Sequence, residues 1–208
     1  IELRRALELG QPETAVLPLL ARAMLASNQA SKLVSQYGAA SLSEPGPMAQ
    51  LKTTVAEAQA ALGRLAEARE SLDLALRAKP DHEPARLLQA RVAAVGGDLP
   101  GALAQVDAVL AANPKSAEAW VLKGDMMARQ KTPVAELIKI YRQALAAKPD
   151  QAAAHTAVIG LLLGQRDVDG ARSQHEAMRK LLPRHPQTLM FEGQLAVLAL
   201  DEGDAPRA

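Results

Sequence analysis

The chain repeats one pattern at a period of 34 or 35 residues. With Thr14, Ala49, Glu83, Ala117, Ala152 and Pro186 as first positions, the steps are 35, 34, 34, 35 and 34. A proline ends each complete unit, at position thirty-two for Pro45, Pro80, Pro114 and Pro183 and at position thirty-three for Pro149, whose unit carries one extra residue near its turn. The eighth position is small at Ala21, Ala56, Ala90, Gly124 and Gly193, with Ile159 the exception. A fixed period of this length marks stacked helix pairs, because one such unit cannot bury its apolar face alone. A solenoid presents an extended surface rather than a pocket of catalytic groups, so the repeat points toward binding.

The residue balance agrees. Hydrophobic residues make up 49% of the chain and aromatics only 2%, with Ala and Leu dominant. That suits closely packed helices and not a β-sandwich, which draws on Val, Ile, Thr and aromatics. Basic and acidic residues number 24 and 23, and the balance holds locally, with five of each sign in residues 1–63 and seven of each in 64–116. No stretch is basic enough to track a phosphate backbone, so no nucleic acid partner is expected. The chain has no cysteine, which excludes disulfides and cysteine-ligated metal within it. No apolar run approaches the roughly 20 residues of a membrane span.

Each unit reads as helix A, a tight turn, helix B and a proline-marked stop. In the unit from Ala49, helix A is expected over about Ala49–Leu62, with a break at Gly63-Arg64. Helix B follows over Leu65–Ala78, with Ala68, Leu72, Ala75 and Leu76 on one stripe, before Lys79-Pro80-Asp81 ends it. The next unit turns at Gly97-Asp98, where Asp98 suits an N-cap, and its stripe is Ala102, Val106, Val109 and Leu110. The fourth unit substitutes Lys131-Thr132-Pro133, a cap followed by proline at the first helical position, and the fifth turns at Gln165-Arg166-Asp167. Residues 37–48 hold two prolines, two glycines and two serines and read as an extended connector.

The repeats are expected over 14–48, 49–82, 83–116, 117–151 and 152–185, with partial units at 1–13 and 186–208. One array excised from a longer protein is the expectation, since Ile1–Leu9 reads as the tail of a second helix and the chain stops where another would begin. Ile1, Leu3 and Leu7 would then lack a neighbour. So would the final helix, apolar on more than one face through Leu189, Met190, Phe191, Leu195, Val197, Leu198 and Leu200, which invites self-association through the truncated ends.

These spacings resemble the tetratricopeptide repeat (TPR). The best match starts at Ala117, where Trp120, Gly124, Tyr141, Ala144 and Pro149 fall where that family places Trp, Gly, an aromatic, Ala and Pro. Leu33 and Leu137 replace a small residue, and His175 and Met178 replace the aromatic and the Ala, which implies looser packing in the first and fifth units. The resemblance implies an all-α, right-handed TPR superhelix, an α-solenoid of antiparallel helix pairs. A narrower resemblance lies in the segments LELGQPETAVLPLLARAML, LKTTVAEAQAALGRLAEA, KPDHEPARLLQARVAAVGGD and AEAWVLKGD. They are similar to the bacterial TPR lipoproteins of the PEP-CTERM/exosortase system. That implies export of exopolysaccharide or protein, a lipid anchor in the full-length protein, and a location in the periplasm or on the periplasmic face of the outer membrane.

No catalytic, cofactor-binding or metal-ligating residue is assigned. Zinc needs three or four converging ligands, and no pair among His82, His155, His175 and His185 has the spacing of a helical metal site. His155 takes the place of Trp120 and His175 that of Tyr141, so both read as core-edge residues. Gly96-Gly97-Asp98 lacks the strand-to-helix setting of a phosphate loop.

By resemblance to the family, positions two, five, nine, twelve and thirteen of helix A face the concave surface. The partner-binding candidates are Arg22, Thr53, Glu57, Leu87, Arg91, Ala94, Val121, Asp125 and Thr156. The alternating charge at position nine, Arg22, Glu57, Arg91 and Asp125, reads either as an intramolecular ladder or as contacts for a partner's carboxylates. Position five holds no Lys and position nine no Asn, which argues against a clamp for a C-terminal carboxylate. The expected function is a non-catalytic scaffold for a peptide or protein partner. An RNA-binding helical repeat and a docking or regulatory segment of a larger enzyme are the alternatives.

Overall fold

The computed structural model describes residues 2–203, with side chains described through residue 198. Ile1 and the Leu200 side chain therefore lie outside the described residues. Among the described residues there are helices and turns and no strand: α1 (Glu2–Glu8), α2 (Glu13–Ala26), α3 (Ala30–Tyr37), α4 (Pro45–Ala61), α5 (Leu65–Ala78), α6 (Glu83–Val95), α7 (Leu99–Ala112), α8 (Ala117–Arg129), α9 (Val134–Ala147), α10 (Ala152–Gly164), α11 (Val168–Leu181) and α12 (Pro186–Gly203). The chain forms two compact units, residues 1–109 and 110–208.

In the first unit α2, α4 and α6 are the A helices, and α2 packs on α4 as α4 packs on α6. α3 lies against α2 and α4, and α5 against α4 and α6. Each B helix thus fills the gap between its own A helix and the next. In the second unit α9 packs on α8 and α10, and α11 on α10 and α12, by the same rule. This is helical-repeat solenoid packing.

The A-to-B turns are built alike. Asn28, Gly63, Gly97, Lys131 and Arg166 all have positive φ, from 57° to 97°. In each, the following amide reaches back five residues, as in Arg64 N–H to Gln59 O at 2.9 Å and Asp167 N–H to Leu162 O at 3.0 Å. This is the left-handed C-terminal motif that satisfies the last free carbonyls of a helix. Asp98 and Asp167 then cap the next helix, each accepting from the amide three residues on at 2.9 Å. Thr132 does not cap α9. Pro133 takes the N-cap position, with no side-chain cap, and its carbonyl receives the first helical amides.

Ala68, Ala102 and Ala171 are fully buried, as are Leu72, Ala75 and Val106 on the predicted stripes. Leu33, Leu137, Met178 and His175 are buried too, so the larger side chains fill the crossings rather than loosening them.

Two further expectations need correction. Residues 45–48 are not connector: α4 begins at Pro45, with Glu44 as N-cap and Met48 N–H donating to Glu44 O at 3.0 Å. The first turn of a helix has no intrahelical use for its amides, so Pro45 and Pro47 cost no hydrogen bond there. At the other end, Leu3 and Leu7 do not lack a neighbour. Both pack against the first unit's core around Leu20, Met24 and Leu33.

Candidate functional site

Position nine of the A helices is exposed in every repeat, at Arg22, Glu57, Arg91, Asp125, Gly160 and Gln194. Position five behaves oppositely in the first four units, with Pro18, Thr53, Leu87 and Val121 buried, while Thr156 is half-buried and Met190 exposed. Of the candidate residues, Arg22, Glu57, Arg91 and Asp125 therefore reach solvent. Thr53, Leu87, Ala94 and Val121 sit in the core layer beneath them. Thr53 spends its hydroxyl within its own helix, donating to Ala49 O at 2.7 Å.

The second unit brings Asp125 and Thr156 together. They line a cavity of about 520 Å³ with His185 and Gln187, and Ala152, Ala153 and Ala157 of α10 form its apolar wall. Val121 is not part of it. Asp125 is held from behind: the Tyr141 hydroxyl donates to its Oδ1 at 2.8 Å. The tyrosine ring reaches that point by packing against Gly124, where an added Cβ would meet ring carbons at 2.6 Å. Burial raises the Tyr141 pKa, and the hydrogen bond to Asp125 and its charge raise it further, so the phenol stays protonated. On the far side, His185 accepts the Gln187 N–H at Nδ1, 3.2 Å away, which leaves its Nε2–H as a donor.

A second feature escaped the sequence. Position four of the A helix carries an N–H donor that satisfies the carbonyl left by the preceding stop. Arg86 Nε donates to Pro80 O at 2.8 Å. Trp120 Nε1 donates to Pro114 O at 2.9 Å, and His155 Nε2 pairs with Pro149 O at 2.8 Å. Each acceptor belongs to the proline that ends the preceding unit. Lys52 does the same across the longer connector, with Nζ to Gly38 O at 2.8 Å, and burial lowers its pKa. A carbonyl can only accept, so His155 carries its proton on Nε2 and receives Gln174 Nε2–H on Nδ1 at 2.7 Å. His155 and His175 are therefore buried structural residues rather than core-edge ones, His175 Nε2–H donating to Thr188 O at 3.0 Å. His82 is pushed below its usual range by burial, then by Lys79, against an opposing pull from Asp81.

Smaller cavities lie elsewhere among the described residues. One of about 290 Å³ lies between α11 and α12, with Arg172, Glu176, Arg179 and Glu192 at its rim. One of about 230 Å³ lies between α1 and α2, beside Arg4 and Met24. Among the described residues no three His, Cys, Asp or Glu side chains group to hold a metal, and no helix is long and apolar enough to cross a membrane.

Residues 87–152 match the tetratricopeptide repeat family model. Among solved structures, TTC0263, a thermophilic TPR protein from Thermus thermophilus, is similar with a TM-score of 0.67 and 17% identity, over 86% of this chain and 97% of that one. PilF of Pseudomonas aeruginosa gives 0.64 and 13%, over 91% and 86%. YrrB, a TPR protein with an unusual peptide-binding site, gives 0.51 and 15%, over 92% and 97%. At these identities the likeness establishes the fold. The sequence matches no curated protein.

Proposed function

We propose that this chain is a non-catalytic scaffold that holds a peptide or protein partner on the exposed, position-nine side of its A helices. One observation carries the reading: position nine is exposed in every repeat while position five is buried in most. Five of the six residues in that row are charged or polar, so it offers ion pairs and hydrogen bonds to a partner. Solenoids use such extended surfaces for recognition. The fold likeness to YrrB, whose own description includes peptide binding, lends further support.

The test uses a displayed library of random peptides selected on the immobilised chain. Selected peptides should lose binding to the Arg91→Glu variant, whose melting temperature should barely change, since an exposed charge contributes little to stability. Unchanged binding with a large loss of melting temperature would assign the row to intramolecular charge pairing and end this reading.

The narrower setting is bacterial export of exopolysaccharide or sorted protein, in the periplasm or on the periplasmic face of the outer membrane. The wording of segments 7–25, 51–68, 79–98 and 117–125 supports it. Fractionation of the native host with an antibody to this chain should place it in the envelope; a cytoplasmic location would remove the proposal.

A further inference from the structure

We propose that the 520 Å³ cavity of the second unit selects a basic side chain, lysine or arginine, from the bound peptide. This rests on the peptide-scaffold reading and adds to it the chemistry of one subsite. Among the described residues, Asp125 is the only carboxylate, and no Lys or Arg lines the cavity. Its carboxylate is already oriented, because Oδ1 takes the Tyr141 hydroxyl. The other oxygen has no recorded partner among the described residues and remains available to a cation. A charge-assisted hydrogen bond to an oriented carboxylate is among the stronger single contacts a surface can offer.

The rest of the lining suits the remainder of a peptide. Ala152, Ala153 and Ala157 leave room for an aliphatic stem against α10. One turn on, Gly160 is exposed and adds no side chain to that face of α10. Thr156 occupies the position of Thr53, yet its hydroxyl makes no hydrogen bond among the described residues, whereas Thr53 bonds Ala49 O. The free hydroxyl and His185 Nε2–H provide one group that donates or accepts and one that donates, which matches the needs of a peptide backbone. An acidic side chain would meet Asp125 as a like charge, and a neutral amide would forgo the charge.

The experiment uses three capped peptides, alanine-flanked with a central Lys, Gln or Glu, titrated into the isotopically labelled 208-residue chain. The Lys peptide should shift the amide resonances of Asp125, Thr156, Ala157 and Gln187 and bind about tenfold more tightly than the Gln peptide, the ratio expected for one charged hydrogen bond. Its advantage should shrink at high salt. Asp125→Asn, which keeps an acceptor for Tyr141, should erase the preference, and Thr156→Val should weaken both peptides alike. Equal binding of Lys and Gln peptides at these residues overturns the charge selection and leaves the scaffold reading standing. So does an undiminished preference in Asp125→Asn. Shifts confined to other residues overturn the subsite. If neither these peptides nor the selected library binds, both readings fall together.

Discussion

Tyr141 shows how much one side chain organises. It is buried, its ring lies on Gly124, and its hydroxyl orients Asp125 at the cavity. Two outcomes follow. A free phenol ionises near pH 10, and folding raises the Tyr141 pKa above that value. The unfolded chain therefore loses this proton first as pH rises. The stabilisation is full below about pH 10 and is lost as pH climbs toward the folded pKa. Tyr141→Phe should cost about 1 kcal/mol at neutral pH, and the difference in melting temperature from wild type should narrow above about pH 10. Absorbance at 295 nm in the same titration should place the tyrosinate step missing from the variant above the ordinary range. A gap that widens with alkalinity would contradict the assignment. The second outcome concerns Gly124. Alanine is the better helix former by about 1 kcal/mol, but its methyl would strike the ring, an overpacking of about 1–3 kcal/mol. Gly124→Ala should destabilise the native protein and become neutral or stabilising in a Tyr141→Leu background, a coupling read by a double-mutant cycle in chemical denaturation.

At the scale of helices and turns, the sequence was most legible where punctuation is chemically distinctive. Gly63 and Gly97 announce positive φ, and α6, α8, α10 and α12 begin at Glu83, Ala117, Ala152 and Pro186, the residues set as first positions. Legibility failed where one residue type serves two purposes. Pro45 and Pro47 look like a loop because proline stops helices, yet they open α4 because proline also starts them. The position-four donors were invisible because Lys, Arg, Trp and His share an N–H and little else. Of the cavity, Asp125 and Thr156 were among the groove positions that the family resemblance implies. His185 and Gln187 were not, since a histidine in an interhelix loop carries no positional signal. Asn28, Lys131 and Arg166 adopt the left-handed turn without being glycine. For Lys131 and Arg166 the conformation carries strain that glycine lacks, so Arg166→Gly should stabilise by up to about 1 kcal/mol. Asp167→Ala next to it should do the reverse, since it removes the cap on Gly170 N–H, at about 1 kcal/mol. Thermal melts of the two single variants should move in opposite directions.

For the molecule as a whole, charge is the property that separates the candidate functions. Basic and acidic residues nearly cancel, 24 against 23, and they cancel again within residues 1–63 and within residues 64–116. A repeat protein that reads RNA must neutralise phosphates along its length, and each neutralised phosphate releases a counterion and steepens the salt dependence of binding. A chain with like numbers of both signs in every stretch repels the backbone about as much as it attracts it. The subsite at Asp125 is also of the wrong sign for a phosphate. Filter binding with a single-stranded RNA of mixed sequence should therefore show weak retention at low salt and a nearly flat dependence on salt. A tight complex whose affinity falls by orders of magnitude between about 50 and 200 mM salt would mean that several phosphates are engaged, and would move the A-helix face from peptide recognition to nucleic acid. The same measurement with an acidic peptide competitor separates specific from diffuse attraction. Diffuse attraction yields to any polyanion, whereas a face built around Asp125 yields to a lysine peptide and not to an acidic one.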